Sequence, residues 1–222
     1  MITFPNEIGG RYSMWSPISL PAILELGNDF IEFLKGGGES DNQLLYDNEY
    51  KKFIKTLSFS DLWYSNFNQR ETRVLLTYSW KMRFFKDYAQ QLEMESLGKQ
   101  PNQNSIFQKT GQIVFGGFGS TAQHSYFQLL HQGTSSICAD IFTIEDYRVK
   151  NKLLFAQSQA QANLLAAGGN ADLKDHEKVN SDVPTNLFTL KTLSPFNLGY
   201  LTASWEHRTF VTSQMLEINP FD

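Results

Sequence analysis

The sequence predicts an α/β fold, a three-layer sandwich in which a mainly parallel sheet is covered by helices on both faces. Short apolar and β-branched runs, typical of strands buried on both faces, alternate along the chain with longer segments of helical character. A chain of 222 residues that is 41% hydrophobic and 14% aromatic can also bury a complete core. We therefore expect a single domain over residues 1–222, with a helical layer at 1–70 and the sheet portion at 71–222.

The charge and the cysteine content exclude several classes of function. A formal net charge of −4 does not suit a broad binding surface for nucleic acid or anionic membrane, so neither partner is expected. No apolar run approaches the roughly 18 residues of a membrane-spanning helix, and Met1–Asn6 lacks the basic-then-apolar layout of a signal peptide. Cys138 is the only cysteine, which excludes a disulfide framework. The sequence thus predicts a soluble, cytoplasmic protein.

The first quarter of the chain is predicted to be helical. The glycines at 9 and 10 indicate a loop in which backbone can approach a ligand closely. Ser16 before a proline is typical of an N-cap followed by proline at the first helical position. Arg11 is the one candidate functional side chain here, and its alternative role is a structural salt bridge. Gly36–Gly38 is expected to separate short helices, which we place before Gly27 and over 28–35, 41–55 and 62–68.

The segment from 72 to 97 is predicted to be a buried strand, Thr72–Tyr78, followed by an amphipathic helix over 80–97. One face of that helix is expected to carry Phe84, Tyr88, Gln91, Leu92 and Glu95, while Glu93 lies on the other face as a solvated charge. Glu95 would then be buried in the last turn, where burial and the helix dipole raise its pKa toward the range of a general base. The alternative is a buried ion pair with a lysine or arginine.

A glycine-rich stretch in mid-chain is the strongest candidate for a ligand site. Ile113–Phe115 predicts a short buried strand, and Gly116, Gly117 and Gly119 predict a tight turn into a helix over 122–131. Ser120 or Thr121 would be its N-cap, and Gly133 its end. A strand that enters a helix through glycines presents free N–H groups, which suit an anionic or hydroxylated ligand.

Two histidines belong to this predicted helix. His124 would lie in its first turn, where the helix dipole favours a neutral ring that can both accept and donate a proton; a buried structural hydrogen bond is the equal alternative. His131 follows seven residues later, about 10 Å along the axis, which is too far for a shared metal ion. For His131 we expect a satisfied structural hydrogen bond. No histidine, cysteine or acidic cluster has the spacing of a metal site, so neither a metal nor a cofactor is expected.

The remaining predicted elements complete the alternation of strands and helices. They are a strand at 136–143, a helix at 147–167, a charged loop at 168–183 with a solvated His176, a strand at 186–190, a helix at 195–212 and a final short element beginning near 215–218.

Three segments together resemble the glucose-6-phosphate isomerase family, which has the flavodoxin-like sugar-isomerase fold. Asn6–Pro17 resembles its arginine motif, Gln90–Lys99 its catalytic-glutamate motif and Phe115–Thr134 its histidine motif. The three stand in the family's order and extend over most of the chain.

The resemblance implies an enzyme of glycolysis and gluconeogenesis that interconverts glucose 6-phosphate and fructose 6-phosphate through a cis-enediol, without metal or cofactor. Glu95 matches the base that carries the proton between C-1 and C-2, and Arg11 the cation beside the enediolate. His124 matches the residue that helps to open the sugar ring. Gly10, Arg11 and Gln91 are expected to bind substrate. The family also implies a homodimer in which the histidine comes from the neighbouring subunit.

The sequence departs from the family pattern in three places. Residues 119–124 run Gly-Ser-Thr-Ala-Gln-His where the family usually has Gly-Thr-Asn-Gly-Gln-His. A smaller domain with a phosphate-gripping serine/threonine loop would precede Met1, and Ile218–Asp222 resembles only the start of a C-terminal motif that supplies a glutamine and a lysine. We therefore expect a fragment. The competing function is a non-catalytic sugar-phosphate-binding or interaction module on the same fold.

Overall fold

The computed structural model describes residues 8–145, 149–169, 172 and 174–221, with side chains omitted at 149–151. The chain divides into two compact units. The first comprises 1–63, 91–110 and 193–222, and the second 64–90 and 111–192. This division differs from the expected boundary near residue 70, because two later segments belong to the mainly helical first unit. That the whole chain forms one domain stays a prediction.

The second unit is built on a four-stranded, all-parallel sheet, as the predicted fold class requires. Its strands are β1 (Thr72–Thr77), β2 (Ile113–Phe118), β3 (Ile137–Ile144) and β4 (Thr185–Leu190). Their order across the sheet is β2-β1-β3-β4, so the chain adds strands on both sides of β1. In register, Thr77 pairs with Phe118 on one side and with Phe142 on the other, which places the carboxyl ends of β1 and β2 at one edge.

Helices cover both faces of this sheet. On one face Val74, Leu76 and Ile141 pack against the short helices α5 (Gly119–Ala122) and α6 (Phe127–Gln132) and against α7 (Val149–Ala167). On the other face Phe85, in the first turn of α4 (Phe85–Leu97), meets Phe142 edge-on with ring centroids 5.2 Å apart. The predicted three-layer α/β arrangement is thus confirmed in this unit.

Glycines at the end of β2 belong to the strand and not to a turn, contrary to the expected tight turn at 116–119. A side chain at Gly116 would place its Cβ 1.9 Å from the carbonyl oxygen of Leu75 in β1. Gly119 lies on the ring of Tyr78, where a Cβ would come within 2.5 Å of it. These glycines are required by close packing, and α5 begins directly at Gly119 without a side-chain cap from Ser120 or Thr121.

The first unit is mainly helical. It begins with 3₁₀ turns at Gly10–Trp15 and Pro17–Ser19, followed by α1 (Leu20–Leu26), α2 (Asn28–Tyr46) and α3 (Asn48–Asn66). The last residues of α3 belong to the second unit. The last helix of the described chain, α8 (Pro195–Met215), belongs to the first unit. The predicted cap at Ser16 is present, since its hydroxyl accepts from the N–H of Ile18. Ser194 likewise caps α8 by accepting from the N–H of Asn197 at 3.1 Å.

The expected break at Gly36–Gly38 is wrong, because α2 runs through it without interruption. A Cβ on Gly36 would lie 1.9 Å from the carbonyl oxygen of Phe196 in α8, and one on Gly199 in α8 would lie 1.9 Å from that of Phe33 in α2. The two helices therefore cross with their backbones almost touching, and only glycine allows this approach. The predicted helices at 41–55 and 62–68 are also wrong, because residues 41–46 belong to α2 and residues 48–66 form the single helix α3.

The rest of the predicted elements are close to those observed. Helix α7 is described from Val149 and continues to Ala167, and α8 continues three residues beyond its predicted end. No further helix or strand follows α8 in the described residues to 221, so the final element expected near 215–218 is not formed. No helix of the described chain is long and apolar enough to cross a membrane.

Candidate functional site

A polar cluster in the first unit brings together three distant parts of the chain. Arg11, in the 3₁₀ turn near the N-terminus, donates from Nη1 to the Oε2 of Glu95 at 2.9 Å. Its Nε donates to the hydroxyl of Ser96 at 3.0 Å, and its Nη2 to the carbonyl oxygen of Pro220 at 2.6 Å. All three sides of the guanidinium are thus occupied, and the side chain is only 13% exposed. A charged, fixed donor of this kind can stabilise an adjacent anion.

Glu95 stands at the open side of this cluster. Its side chain is 51% exposed, and Gln91, one turn earlier on α4, donates to its Oε1 at 3.4 Å. The hydrogen bond from Arg11, then that from Gln91, and the positive charges of Arg11 and Lys99 hold the pKa of the Glu95 carboxyl below its usual range. The expectation of a buried carboxyl with a raised pKa is therefore wrong for this structure. Glu95 is therefore ionised near neutral pH.

The burial of the two carboxylates of α4 is the reverse of the prediction, since Glu93 is buried and Glu95 is exposed. Glu93 is buried, with 4% exposure, and its Oε1 accepts from the indole N–H of Trp205 in α8 at 2.7 Å. The buried side of α4 begins at Phe85 and continues through Ala89 and Leu92 to Ser96. Starting the apolar face of the predicted helix at Phe84 shifted that face by one residue, because Phe84 precedes the observed helix and is exposed.

Gly10 and Gln91, the other expected substrate-binding residues, lie in the same unit as Arg11 and Glu95. Gly10 opens the 3₁₀ turn and is exposed, and among the described residues no atom beyond its chain neighbours lies within 4 Å of the place that a Cβ would occupy. The described packing therefore does not require glycine there. Open backbone next to Arg11 is consistent with close approach of a ligand.

His124 belongs to the second unit, whereas Arg11, Gln91 and Glu95 belong to the first. It is exposed in the turn between α5 and α6, not in the first turn of a longer helix as expected. The helix-dipole argument for a neutral ring therefore does not apply to it. The structure brings Arg11, Gln91 and Glu95 together, and the place of His124 in the same site stays a prediction.

His131 and His176 have the environments that the sequence predicts. His131 is half-buried and makes a hydrogen bond of 2.9 Å between its Nε2 and the Nε2 of Gln161. His176 is 76% exposed. In the part of the chain that the structure describes, no three His, Cys, Asp or Glu side chains are grouped as for a metal ion. The absence of a cofactor stays a prediction.

Sequence reasoning missed Ser96 and the Pro220 carbonyl. Ser96 is fully buried, and its hydroxyl also lies 3.3 Å from that of Tyr12. A correctly phased α4 would have identified Ser96, since it follows Glu93 by three residues on the buried face. A backbone carbonyl more than 200 residues from Arg11 leaves no local signal in the sequence.

The all-parallel sheet with helices on both faces makes the chain an α/β protein, and its candidate site is a polar cluster in which a carboxylate is paired with a fixed guanidinium. The family model for phosphoglucose isomerase matches residues 1–222, so the chain belongs to the phosphoglucose isomerase family. A glucose-6-phosphate isomerase 2 from Neisseria meningitidis serogroup A is 35% identical over 97% of the chain and 44% of its own length. A glucose-6-phosphate isomerase from Hydrogenovibrio crunogenus is 34% identical over 100% of the chain and 46% of its own length.

The fold agrees with a solved structure from the same family. A crystal structure of a glucose-6-phosphate isomerase from Chlamydia trachomatis superposes with a TM-score of 0.88 and 28% identity, over 99% of the chain and 45% of that protein. The chain thus spans less than half the length of these relatives.

Proposed function

We propose that this chain forms the part of a glucose-6-phosphate isomerase that carries the proton-transferring base. The observation that supports the proposal is the Arg11–Glu95 pair, an exposed carboxylate held against a fixed guanidinium. In this proposal Glu95 removes the proton from C-2 of the open-chain sugar and returns it to C-1. Arg11 stabilises the negative charge that develops on the enediolate oxygens.

Further residues extend the proposed site. Gln91 lies one turn before the base and orients its carboxylate, while the open backbone at Gly10 gives the sugar room to approach. We propose that His124 assists ring opening from the neighbouring subunit of a homodimer, as the family resemblance implies. The substrate would be glucose 6-phosphate or fructose 6-phosphate, the pathways glycolysis and gluconeogenesis, and the compartment the cytoplasm.

Replacement of Glu95 tests this proposal. Glu95→Gln keeps the shape and can still bond to Arg11, but an amide cannot accept the proton, so turnover should fall by several orders of magnitude with KM little changed. The measurement is a coupled assay of fructose 6-phosphate conversion, made on protein from the whole reading frame that contains these residues. A variant that retains about a tenth of the wild-type turnover would show that Glu95 is not the base.

The same assay on the 222-residue chain alone distinguishes catalysis from sugar-phosphate binding without turnover. Contacts to the phosphate, remote from the reacting carbons, hold a sugar phosphate in a productive pose. The chain spans less than half the length of its isomerase relatives, so it is expected to make fewer of these contacts, and we expect no significant turnover. Activity comparable to that of an intact isomerase, abolished by Glu95→Gln, would contradict this expectation.

A further inference from the structure

We propose that Ser96 is a positioning residue, whose buried hydroxyl fixes the Arg11 guanidinium against Glu95. This inference rests on the proposed function for its catalytic consequence, but its structural content can be measured without any reaction.

Glu95 alone would hold Arg11 only loosely. Arg11 comes from a short 3₁₀ turn, and a long arginine side chain loses considerable rotamer entropy when it is ordered. Its partner Glu95 is half exposed, so the pair is accessible to water and a single ion pair would restrain it weakly. Besides the Pro220 carbonyl, a fixed side-chain anchor is therefore needed for a defined geometry.

Ser96 provides that anchor because it is the next residue after Glu95 on the same helix. Its hydroxyl accepts from Arg11 Nε at 3.0 Å, while Glu95 accepts from Nη1 at 2.9 Å. Ser96 has a short side chain with no exposed surface, so the helix fixes its hydroxyl closely, whereas Glu95 reaches Arg11 through a longer, half-exposed side chain. The guanidinium is planar and rigid, so a bond to the fixed Ser96 hydroxyl together with one to Glu95 determines the orientation of the fork as well as its position.

The environment of Ser96 keeps the anchor itself in place. Ser96 has no exposed surface, and the phenol of Tyr12, next to Arg11 in the chain, lies 3.3 Å from its hydroxyl. Burial raises the pKa of Tyr12, so its phenol keeps the proton with which it can donate. Tyr12 also packs on Phe221 at 5.2 Å between ring centroids, close in sequence to the Pro220 carbonyl that binds Arg11. Ser96 thus connects the segments that immobilise the guanidinium.

Ser96→Ala tests the proposal against Ser58→Ala as a matched control. Ser58 is another fully buried serine of the first unit, and its hydroxyl donates to the carbonyl oxygen of Arg208 at 3.0 Å. The first readout is the titration of Glu95 by carbon-detected NMR. In Ser96→Ala the pKa of Glu95 should rise toward its ordinary value because Arg11 is held less firmly, whereas in Ser58→Ala it should not change.

The second readout is kinetic and uses the protein of the whole reading frame. A misplaced guanidinium should lower kcat by about 10- to 100-fold with KM little changed, and Ser58→Ala should leave both constants near wild type. An inactive wild type would contradict the proposed function, yet the NMR titration would still test Ser96. If Ser96→Ala does not fold, Ser96→Cys, of similar shape with a weaker acceptor, takes its place with the same expectations. If the titration of Glu95 is unchanged in Ser96→Ala, as it should be in Ser58→Ala, the proposal is wrong.

Discussion

Arg11 and Glu95, 84 positions apart in the sequence, form a hydrogen-bonded ion pair of 2.9 Å in the first unit. The pair has a dual consequence. It lowers the pKa of the Glu95 carboxyl, and in the proposed function it places a positive charge beside the enediolate. A base with a lowered pKa is a weaker base, so a bound sugar that replaced Glu95 at the guanidinium would also strengthen the base.

Removal of the guanidinium should therefore be visible at Glu95. In Arg11→Gln the pKa of Glu95 should rise from its lowered value toward that of an ordinary glutamate, because the hydrogen bond and the charge of Arg11 are among the main causes of the shift. The titration of selectively labelled glutamate carboxyls by NMR measures this. Lys35→Gln, which removes a surface ion pair with Glu32 only, is the control. A Glu95 titration identical in wild type and Arg11→Gln would show that the pair does not form in solution.

The half-buried His207 is the basis for a predicted pH dependence of stability. His207 in α8 bonds through Nε2 to Asp41 in α2 at 2.9 Å and through Nδ1 to the phenol of Tyr50 in α3 at 3.0 Å. Burial lowers its pKa, with the hydrogen bond and charge of Asp41 acting in the opposite direction. Ser40 also faces the ring at 3.5 Å.

The folded state binds the His207 proton less readily than the unfolded chain, whose histidines titrate near about 6.5. The contribution of His207 to stability is therefore fully present above about pH 6.5 and is lost as the pH falls through the lowered, folded pKa. Urea unfolding between about pH 7.5 and 5.5 should show this loss, and His207→Asn should flatten it. His176→Gln, at an exposed position, should keep the wild-type slope; an equal slope in His207→Asn would contradict the prediction.

Two buried tyrosines should respond in opposite ways to loss of the hydroxyl. The Tyr78 hydroxyl is buried with no hydrogen-bond partner in the described chain, and burial raises its pKa. Tyr78→Phe should thus leave the free energy of unfolding unchanged or raise it by up to about 1 kcal/mol. The Tyr50 hydroxyl bonds to Ser204 at 2.9 Å and to His207, so Tyr50→Phe should cost about 1–3 kcal/mol. Urea titration of both variants measures the difference, and a larger loss in Tyr78→Phe would show that its hydroxyl has a partner.

The sheet could be predicted because strands buried on both faces leave continuous apolar runs, as at Thr72–Thr77. Arg11 and Glu95 were candidates from the residues alone, the family resemblance supplied their roles and that of Gln91, and the structure brings these three together. Which carboxylate of α4 is buried could not be predicted from the local sequence. Glu93 is buried because Trp205, 112 positions away, supplies a donor for it, and no periodicity in α4 records that partner.

The glycines of α2 were misinterpreted for a related reason, and they give the sharpest test of the fold. Within one helix, Gly36 faces the backbone of α8, whereas Gly38 is exposed and has no atom within 4 Å of the place that a Cβ would occupy. The same substitution should therefore have opposite effects two residues apart. Gly36→Ala drives a methyl group into the Phe196 carbonyl and should cost about 1–3 kcal/mol or more, as overpacking does. Gly38→Ala should raise stability by about 0.5–1 kcal/mol, since alanine loses less backbone entropy than glycine in a helix.

Urea unfolding of the two variants, followed by circular dichroism, measures this contrast. Because both changes add one methyl group to the same helix, differences in helix propensity cancel between them and only the surroundings differ. Equal stabilisation by both would mean that α2 and α8 do not cross at Gly36. Equal destabilisation would mean that helix α2 is interrupted at the glycines after all, as the sequence alone suggested, since a left-handed glycine at a helix end rejects any side chain.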